Sequence, residues 1–364
     1  MKHAHRITIL FAGGGTGGHL YPAIAMAEAI QKIETVHIAF VGTKHKIEAR
    51  VVPQKGFEFH TIWISGFQRK LTLGNLLFPL KVVVSLLQSF FLILKLKPKV
   101  VVGTGGYVCG PILFAASLLG VPTVVHESNS FPGATTKMLA RIVSKIFISF
   151  DVTRTWLPKN ADIELVGNPT REELSAVKRK DGLKYYQLDP KKKTLLVFGG
   201  SLGAASLNNA MKKHIPEFYK NNIQLIWQTG ERAGELLFNV QENEMVKVRR
   251  FIDKMEYAYA AADVVLCRSG ATTLAELTRL GKPAILVPYP YAAAHHQELN
   301  AQMMVDAGAA LMVHDKELES ELWNAIQTLL SDDAIRKNMS LNSLHIGKPN
   351  AGKEIAEKIV AMCA

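Results

Sequence analysis

Cysteine is scarce in this chain of 364 residues: there are three, Cys109, Cys267 and Cys363, odd in number and unevenly spaced. That excludes a disulfide framework and a cysteine metal cage, and a reducing cytosol is the expected compartment. Aromatic residues make up only 8%, and no Lys/Arg block alternates with them. A nucleic-acid groove of stacked rings and cations is therefore not expected. Acidic residues are outnumbered: 43 Lys and Arg against 31 Asp and Glu give a net charge of +12. With nucleic acid set aside, the acidic partner this implies is an anionic lipid surface or a phosphorylated substrate. After Met1-Lys2-His3 the chain goes straight into a strand pattern, so no signal peptide is expected. What remains is 48% apolar and 20% charged. This is a globular composition, and its length predicts two domains.

The most informative stretch surrounds Arg268 and reads C-R-S-G-A-T-T-L-A-E. The apolar run 262–266 before it predicts a buried parallel strand. Ser269-Gly270-Ala271-Thr272 then turns into a helix over Thr273 to Leu280, which Gly281 ends and Pro283 follows. A strand that stops at Gly and opens a helix aims amide N–H groups and a positive dipole end at an anion, most often phosphate. Glu276 lies within that helix, where a carboxylate can accept from two neighbouring ribose hydroxyls.

The chain opens in the same way. Ile7 to Ala12 predicts a buried strand, Gly13-Gly14-Gly15-Thr16-Gly17-Gly18-His19 a tight loop, and Tyr21 to Ile33 a helix. The glycine spacing matches the dinucleotide fingerprint. However, the next strand, Val36 to Val41, ends in Gly42-Thr43 and not in a ribose-binding acid, so NAD or FAD is not expected. The loop instead admits another phosphate or a sugar to the backbone. Further strand patterns at 57–63, 100–103, 123–126 and 145–149 alternate with helical ones, which predicts a parallel, doubly wound sheet. Gly103-Thr104-Gly105-Gly106-Tyr107 and His126-Glu127-Ser128-Asn129 fall at the carboxyl ends of strands, where such sheets bind ligands.

The second half repeats the first. Thr194 to Phe198 leads into Gly199-Gly200-Ser201-Leu202-Gly203-Ala204, and Leu280-Gly281-Lys282-Pro283 answers Leu119-Gly120-Val121-Pro122. Two copies of one plan predict two Rossmann-like α/β domains, residues 1–165 and 166–345, with a cleft between their loop-bearing edges. The Lys-rich stretch 176–193 reads as an exposed connection, and 346–364 as an amphipathic helix whose docking the sequence leaves open.

The first half carries a surplus at 66–97. There Arg69, Lys70 and Lys81 flank Leu71, Leu73, Leu76, Leu77, Phe78 and Leu80, and an apolar run continues to Leu96. Only 13 residues separate Lys81 from Lys95. That is roughly 20 Å of helix against a hydrocarbon core of about 30 Å, so a span is not expected. Most of the run is expected to be a crossover helix buried on the sheet. Its start, with Arg69, Lys70, Leu76, Leu77, Phe78, Leu80 and Lys81, reads as an apolar knob ringed by positive charge that rests on an anionic bilayer.

Together these motifs carry a resemblance. Gly14-Gly15-Thr16-Gly17-Gly18-His19, Gly105-Gly106-Tyr107-Val108, His126-Glu127-x-Asn129, Gly167-Asn168-Pro169-x-Arg171, Gly199-Gly200-Ser201-x-Gly203, Cys267-Arg268-Ser269-Gly270-Ala271 and His296-Gln297-x-x-Asn300-Ala301 occur in this order. The set resembles the MurG family. Its members are peptidoglycan enzymes that transfer N-acetylglucosamine (GlcNAc) from UDP to undecaprenyl-pyrophosphoryl-muramyl pentapeptide, converting lipid I to lipid II. The resemblance runs from residue 7 to about 301. It implies the GT-B fold, with acceptor and membrane contact on the first domain and UDP-GlcNAc on the second. It also implies a peripheral position on the cytoplasmic face of the plasma membrane, with cell-wall and division proteins as partners.

Carried over by position, it sets the donor sugar and diphosphate against Thr16, Gly17, Gly18, Asn129, Arg171, Ser201 and Gln297. Uracil and ribose go against Ile252 and the run Ala271, Thr272, Thr273, Leu274, Ala275, Glu276. Gly105, Gly106 and Tyr107 fall on the acceptor side. His19 is the candidate general base, with His126 and Glu127 as rivals. Two departures touch the sugar contacts: Ser128 stands where the family usually has Gln, and Ala292-Ala293-Ala294-His295 is less acidic than is common. The expected reaction is inverting. The sequence has no Asp-x-Asp pair, so no cofactor and no essential metal are expected; amides, helix N-termini and Arg171 would meet the leaving-group charge. The rivals are a UDP-sugar transferase acting on diacylglycerol or another lipid, and a non-enzymatic UDP-sugar sensor at the membrane.

Overall fold

The computed structural model describes residues 7–66, 77–231 and 243–363. The chain forms two compact units, one running through Thr170 and resumed from Pro349, the other Arg171–Lys348. The first division thus falls at 170/171, a few residues beyond the one read from the sequence.

In the first unit the strands are β1 (Thr8–Ala12), β2 (His37–Gly42), β3 (Glu58–Thr61), β4 (Val100–Gly103), β5 (Thr123–Glu127), β6 (Lys145–Ile148) and β7 (Ile163–Leu165). Its helices are α1 (Gly17–Ile33), α2 (Ile47–Gln54), α3 (Phe78–Leu96), α4 (Cys109–Leu118) and α5 (Ala134–Leu139). The second unit has α6 (Arg179–Tyr186), β8 (Thr194–Phe198), α7 (Ala205–Lys220), β9 (Gln224–Gln228), β10 (Val246–Arg249), α8 (Met255–Ala261), β11 (Val264–Cys267) and α9 (Ala271–Leu280). It continues with β12 (Ala284–Leu286), α10 (His296–Asp306), β13 (Ala310–Met312), α11 (Leu318–Ser331) and α12 (Asp333–Ile346). The last helix, α13 (Ala351–Ala361), belongs to the first unit.

Both sheets are parallel throughout, in the orders β3-β2-β1-β4-β5-β6-β7 and β10-β9-β8-β11-β12-β13. The first six strands of one unit and the six of the other follow the same plan, so the repeat in the sequence is a repeat in topology. In each, the central strands are buried on both faces, as their continuous β-branched runs require. Helices start after the glycine loops and end where the chain must return to the next strand.

Three segments complete or correct the reading of the sequence. The tail contributes a core helix, α13: Ile355, Ala356, Ile359 and Cys363 are buried in the first unit's core, and the helix packs on α1. The stretch 176–193 is not a bare exposed connection. It holds α6, whose Leu183 and Tyr186 are buried and whose Gly182 lies so close to α8 that a Cβ would sit 2.5 Å from the Tyr257 carbonyl.

The third is α3, which is not mostly buried. By length and composition it is long and apolar enough to cross a membrane, and only 17% of its apolar window is buried. It nonetheless joins β3 to β4 of one sheet and packs on α4. The reason for its exposure is the distribution of side chains. Ser85, Ser89 and Ile93 face inward, and Leu80, Val83, Leu87, Phe91 and Leu94 face outward, each more than half exposed. The serine hydroxyls are satisfied within the helix, by the carbonyls of Val82 and Ser85. Small residues inward bring the helix close to α4 and leave the bulky ones for whatever lies outside.

Candidate functional site

In the first unit, four loops gather at the carboxyl edge of the sheet. His19, in the first turn of α1, is half-buried, and its Nδ1 lies 2.9 Å from the Thr104 carbonyl. A carbonyl only accepts, so Nδ1 carries the proton; in the neutral ring Nε2 then bears the lone pair. The bond is returned at 2.7 Å, where the Thr104 hydroxyl donates to the His19 carbonyl. Gly105 makes this approach possible. Its φ of +101° suits glycine, and a Cβ there would sit 2.6 Å from His19 Nδ1. Cys109 holds the same turn, with its thiol donating to the Ala12 and Gly105 carbonyls; burial pushes that thiol up to about 12, so it is unreactive. Tyr107 lies against Gly15, where a Cβ would be 3.4 Å from its ring.

The rival bases are differently placed. His126 is fully buried; its Nε2 donates to the Gly167 carbonyl at 2.9 Å, and burial pushes the ring below the usual histidine range. Ser128 lies between it and Asn168, at 3.4 and 3.3 Å. Glu127 accepts from Asn129 N, Asn129 Nδ2, Gly133 N and the Thr136 hydroxyl, at 3.0, 3.3, 3.0 and 2.7 Å. Both therefore brace the loop that carries Asn129, and each has its polar atoms committed inside the protein.

In the second unit, Arg268 proves to be a brace. Its guanidinium donates to the carbonyls of Val287 and Pro288 and to Ser206, pairs with Asp315 at 2.6 Å and stacks over Tyr289. Ser269 donates to the Gln297 carbonyl at 2.7 Å, and the Tyr289 amide donates to Gln297 Oε1 at 3.0 Å, which fixes Gln297. Just before it, Ala294 and His295 both have positive φ, 51° and 52°. That conformation costs about 1–2 kcal/mol per residue and is retained where a turn must present a particular group.

The helix α9 begins at Ala271, two residues before the predicted start, with Gly270 as a cap that offers no side chain. Its first-turn amides and the buried, unpartnered Thr272 hydroxyl form a donor cluster suited to an anion. Further along, Glu276 accepts from the Tyr259 hydroxyl at 2.8 Å, and Arg171 lies 3.9 Å from its other oxygen. Burial pushes the Glu276 carboxyl up, against the downward pull of Arg171 and Tyr259. Ser201 is exposed on its loop, and Gly203, with φ +82°, lets that loop meet the Thr229 carbonyl, where a Cβ would be 2.1 Å away.

The Ile252 amide, which the resemblance assigns to uracil, donates here to Gln228 Oε1 at 2.8 Å, while Gln228 Nε2 donates to the Gly200 carbonyl. Gln228 and Tyr259 are thus site-building residues that the sequence reading missed. Gln228 could have been noticed as the polar end of a buried strand; nothing local marks Tyr259. Of the membrane-contact residues, Arg69, Lys70 and Leu76 lie outside the described residues. Leu77 and Leu80 are exposed and Phe78 partly so. Lys81 donates to Ser65 at 3.0 Å and sits 5.8 Å over the exposed ring of Trp63.

Known proteins match along nearly the whole chain. The N-terminal domain model of glycosyltransferase family 28 matches residues 9–148, and its C-terminal domain model matches 194–359. The UDP-N-acetylglucosamine–N-acetylmuramyl-(pentapeptide) pyrophosphoryl-undecaprenol N-acetylglucosamine transferase of Flavobacterium psychrophilum is 41% identical, over 97% of each chain. That of Chlorobaculum parvum is 44% identical, over 97% of this chain and 99% of its own. The crystal structure of MurG from Acinetobacter baumannii superposes with a TM-score of 0.76 at 26% identity, covering 98% of this chain and 99% of that one. The chain belongs to glycosyltransferase family 28 and, within it, to the MurG family.

Proposed function

We propose that this protein transfers GlcNAc from UDP-GlcNAc to the C4 hydroxyl of the muramyl residue of undecaprenyl-pyrophosphoryl-MurNAc-pentapeptide, with inversion. The observation that carries this reading is the identity of 41% and 44% to transferases of that name over nearly the whole of both chains. The two loop clusters supply chemistry that fits it.

A sugar hydroxyl is a weak nucleophile and must lose its proton as the new bond forms. The proton goes to His19 Nε2, because the Thr104 carbonyl keeps the other ring nitrogen protonated. The hydroxyl oxygen attacks the anomeric carbon in line, and UDP departs from the opposite face. On the second unit the α9 amides, Thr272 and Arg171 meet the charge of the leaving diphosphate. Glu276, held by Tyr259, takes the ribose hydroxyls. We infer that the chemistry needs no essential metal, because the sequence has no Asp-x-Asp pair to hold one against the diphosphate.

The acceptor is anchored in a bilayer, so the enzyme must reach its surface. The outward stripe of α3 fits a peripheral position there, its apolar side chains flanked by Lys81 at one end and Lys95, Lys97 and Lys99 at the other. Removing each large side chain from water is worth on the order of 1.5–3 kcal/mol when burial is complete. One assay tests the whole reading: purified protein, radiolabelled UDP-GlcNAc and a short-chain lipid I analogue, with and without the muramyl pentapeptide. Transfer to the complete analogue alone is the expected result. Transfer to a diacylglycerol in its place, or binding without turnover, defeats it.

A further inference from the structure

One buried acid remains without a part in this chemistry. Glu48 stands in the first turn of α2 with no exposed surface. Its Oε2 accepts the Gly15 N–H at 2.9 Å; its Oε1 accepts the Thr43 N–H at 3.1 Å and the Thr43 hydroxyl at 2.8 Å. These donors come from the loops that follow β1 and β2, so a single carboxylate ties two loops of the site together. The space around it is shaped to the charge. A Cβ on Gly14 would lie 2.5 Å from Glu48 Cδ, and one on Gly42 would lie 2.5 Å from its Cγ. The contact extends further, since Gly15, whose amide Glu48 holds, lies against Tyr107: a Cβ there would be 3.4 Å from the ring.

A glycine loop at a strand end ordinarily turns its amides outward to an anion. Here the Gly15 amide points into the protein, at a carboxylate. That end of the loop has lost a donor and has a negative charge behind it. A buried carboxylate is tolerated only where donors converge on it, and three do.

We propose that Glu48 is a positioning residue for the acceptor. It holds the Gly13–Gly18 loop and Tyr107 in the shape that receives the acceptor's neutral, hydroxyl-bearing ring, and it turns phosphate-like anions away from the Gly14–Gly15 end. This rests on the transferase reading above, and the experiment separates the two. The wild-type protein is first assayed with a water-soluble lipid I analogue; if it transfers nothing, the transferase reading fails whatever Glu48 does. With wild-type turnover in hand, Glu48→Gln is expected to raise the acceptor KM roughly ten-fold, the scale of one or two lost charge-assisted hydrogen bonds. UDP affinity by calorimetry should stay within about two-fold, because the uracil and ribose are assigned to Ile252 and Ala271–Glu276, far along the chain from Glu48, and Gly15 lies outside the Thr16–Gly18 stretch assigned to the diphosphate. Inorganic pyrophosphate, competing with the acceptor, should inhibit the variant more strongly than the wild type. A folded Glu48→Gln protein with unchanged acceptor KM and unchanged pyrophosphate inhibition overturns the proposal, as does an equal loss of UDP affinity. If Glu48→Gln does not fold, Thr43→Val decides. It keeps the amide and the shape but removes the hydroxyl, and an acceptor KM raised about three-fold with UDP affinity intact is expected. An unchanged KM in that variant overturns the proposal.

Discussion

Tyr259 donates its hydroxyl proton to Oε2 of Glu276 at 2.8 Å, from a ring that is itself fully buried. Burial and the neighbouring carboxylate push the phenol well above its ordinary range, so it stays a donor at any working pH. The acid proposed to hold the ribose is therefore oriented from inside the domain. Tyr259→Phe removes only that bond and is expected to weaken UDP binding by about 0.5–1.5 kcal/mol. The loss should begin at higher pH than in the wild type, because one of the two groups holding the Glu276 carboxyl down is gone. Calorimetric titration with UDP across the acid range checks both points.

Glu276 itself opposes folding, a cost that the proposed ribose role would explain. Its carboxyl is raised in the folded protein. The unfolded chain then gives up the proton first, so stability falls as pH rises from the ordinary glutamate range through the raised value. Glu276→Gln should flatten that fall and keep or raise Tm at neutral pH. UDP affinity should drop by about 1.5–3 kcal/mol, the scale of a hydrogen bond to a charged group. Melting curves against pH, paired with UDP titrations, give the answer; a Tm that drops together with affinity would mean that the carboxylate is structural.

His19→Ala should cut kcat by about 10²–10⁴ and abolish the acidic limb of the pH–rate profile, with UDP affinity nearly unchanged. The measurement is a pH–rate series with the soluble acceptor analogue. A variant that keeps the acidic limb and loses only acceptor affinity would leave His19 as a group that orients the acceptor.

On α3, changing Leu87, Phe91 and Leu94 to Ser removes three outward side chains without touching Ser85, Ser89 or Ile93. Vesicle binding should fall by about 1 kcal/mol or more per residue, while Tm and turnover of a soluble acceptor stay level. Lys81→Ser should have a smaller effect than the roughly 1 kcal/mol of a free surface charge, since its ammonium is already held by Ser65. Vesicle sedimentation with and without added salt distinguishes the two contributions; a fall in Tm would show the stripe to be covered by protein.

Much of this architecture is legible in the sequence because the physics is local. A β-branched run followed by glycines and a helical period is readable wherever it occurs, and it occurs at Ile7, Thr194 and Ala262. The orientation of α3 was not legible from its apolar residues, which surround the helix; the two serines four apart carried the information instead. The α6 segment looks polar because only one stripe of it is buried, and the amphipathic tail gave no sign of which unit would receive its apolar stripe. Tyr259 and Gln228, and Glu48 through Gly15, act on partners distant in the chain, and no local pattern announces such a partner. Arg268 shows the converse: a motif arginine can hold a site together from behind.

The last helix has a consequence for synthesis. Arg171–Lys348 is contiguous and can fold as soon as it has been made, but the first unit lacks a layer over α1 until Ala351–Ala361 follows. The order of completion is therefore the reverse of the order of translation. The half made first must wait, with the face of α1 that receives the last helix uncovered, for the half made second. During that interval it is open to chaperones and proteases. Ile355→Ala, with a folded-state penalty of about 2–5 kcal/mol, should lower the yield of intact protein in the cell more than the melting temperature alone predicts, and pulse-chase recovery measured against Tm would show it.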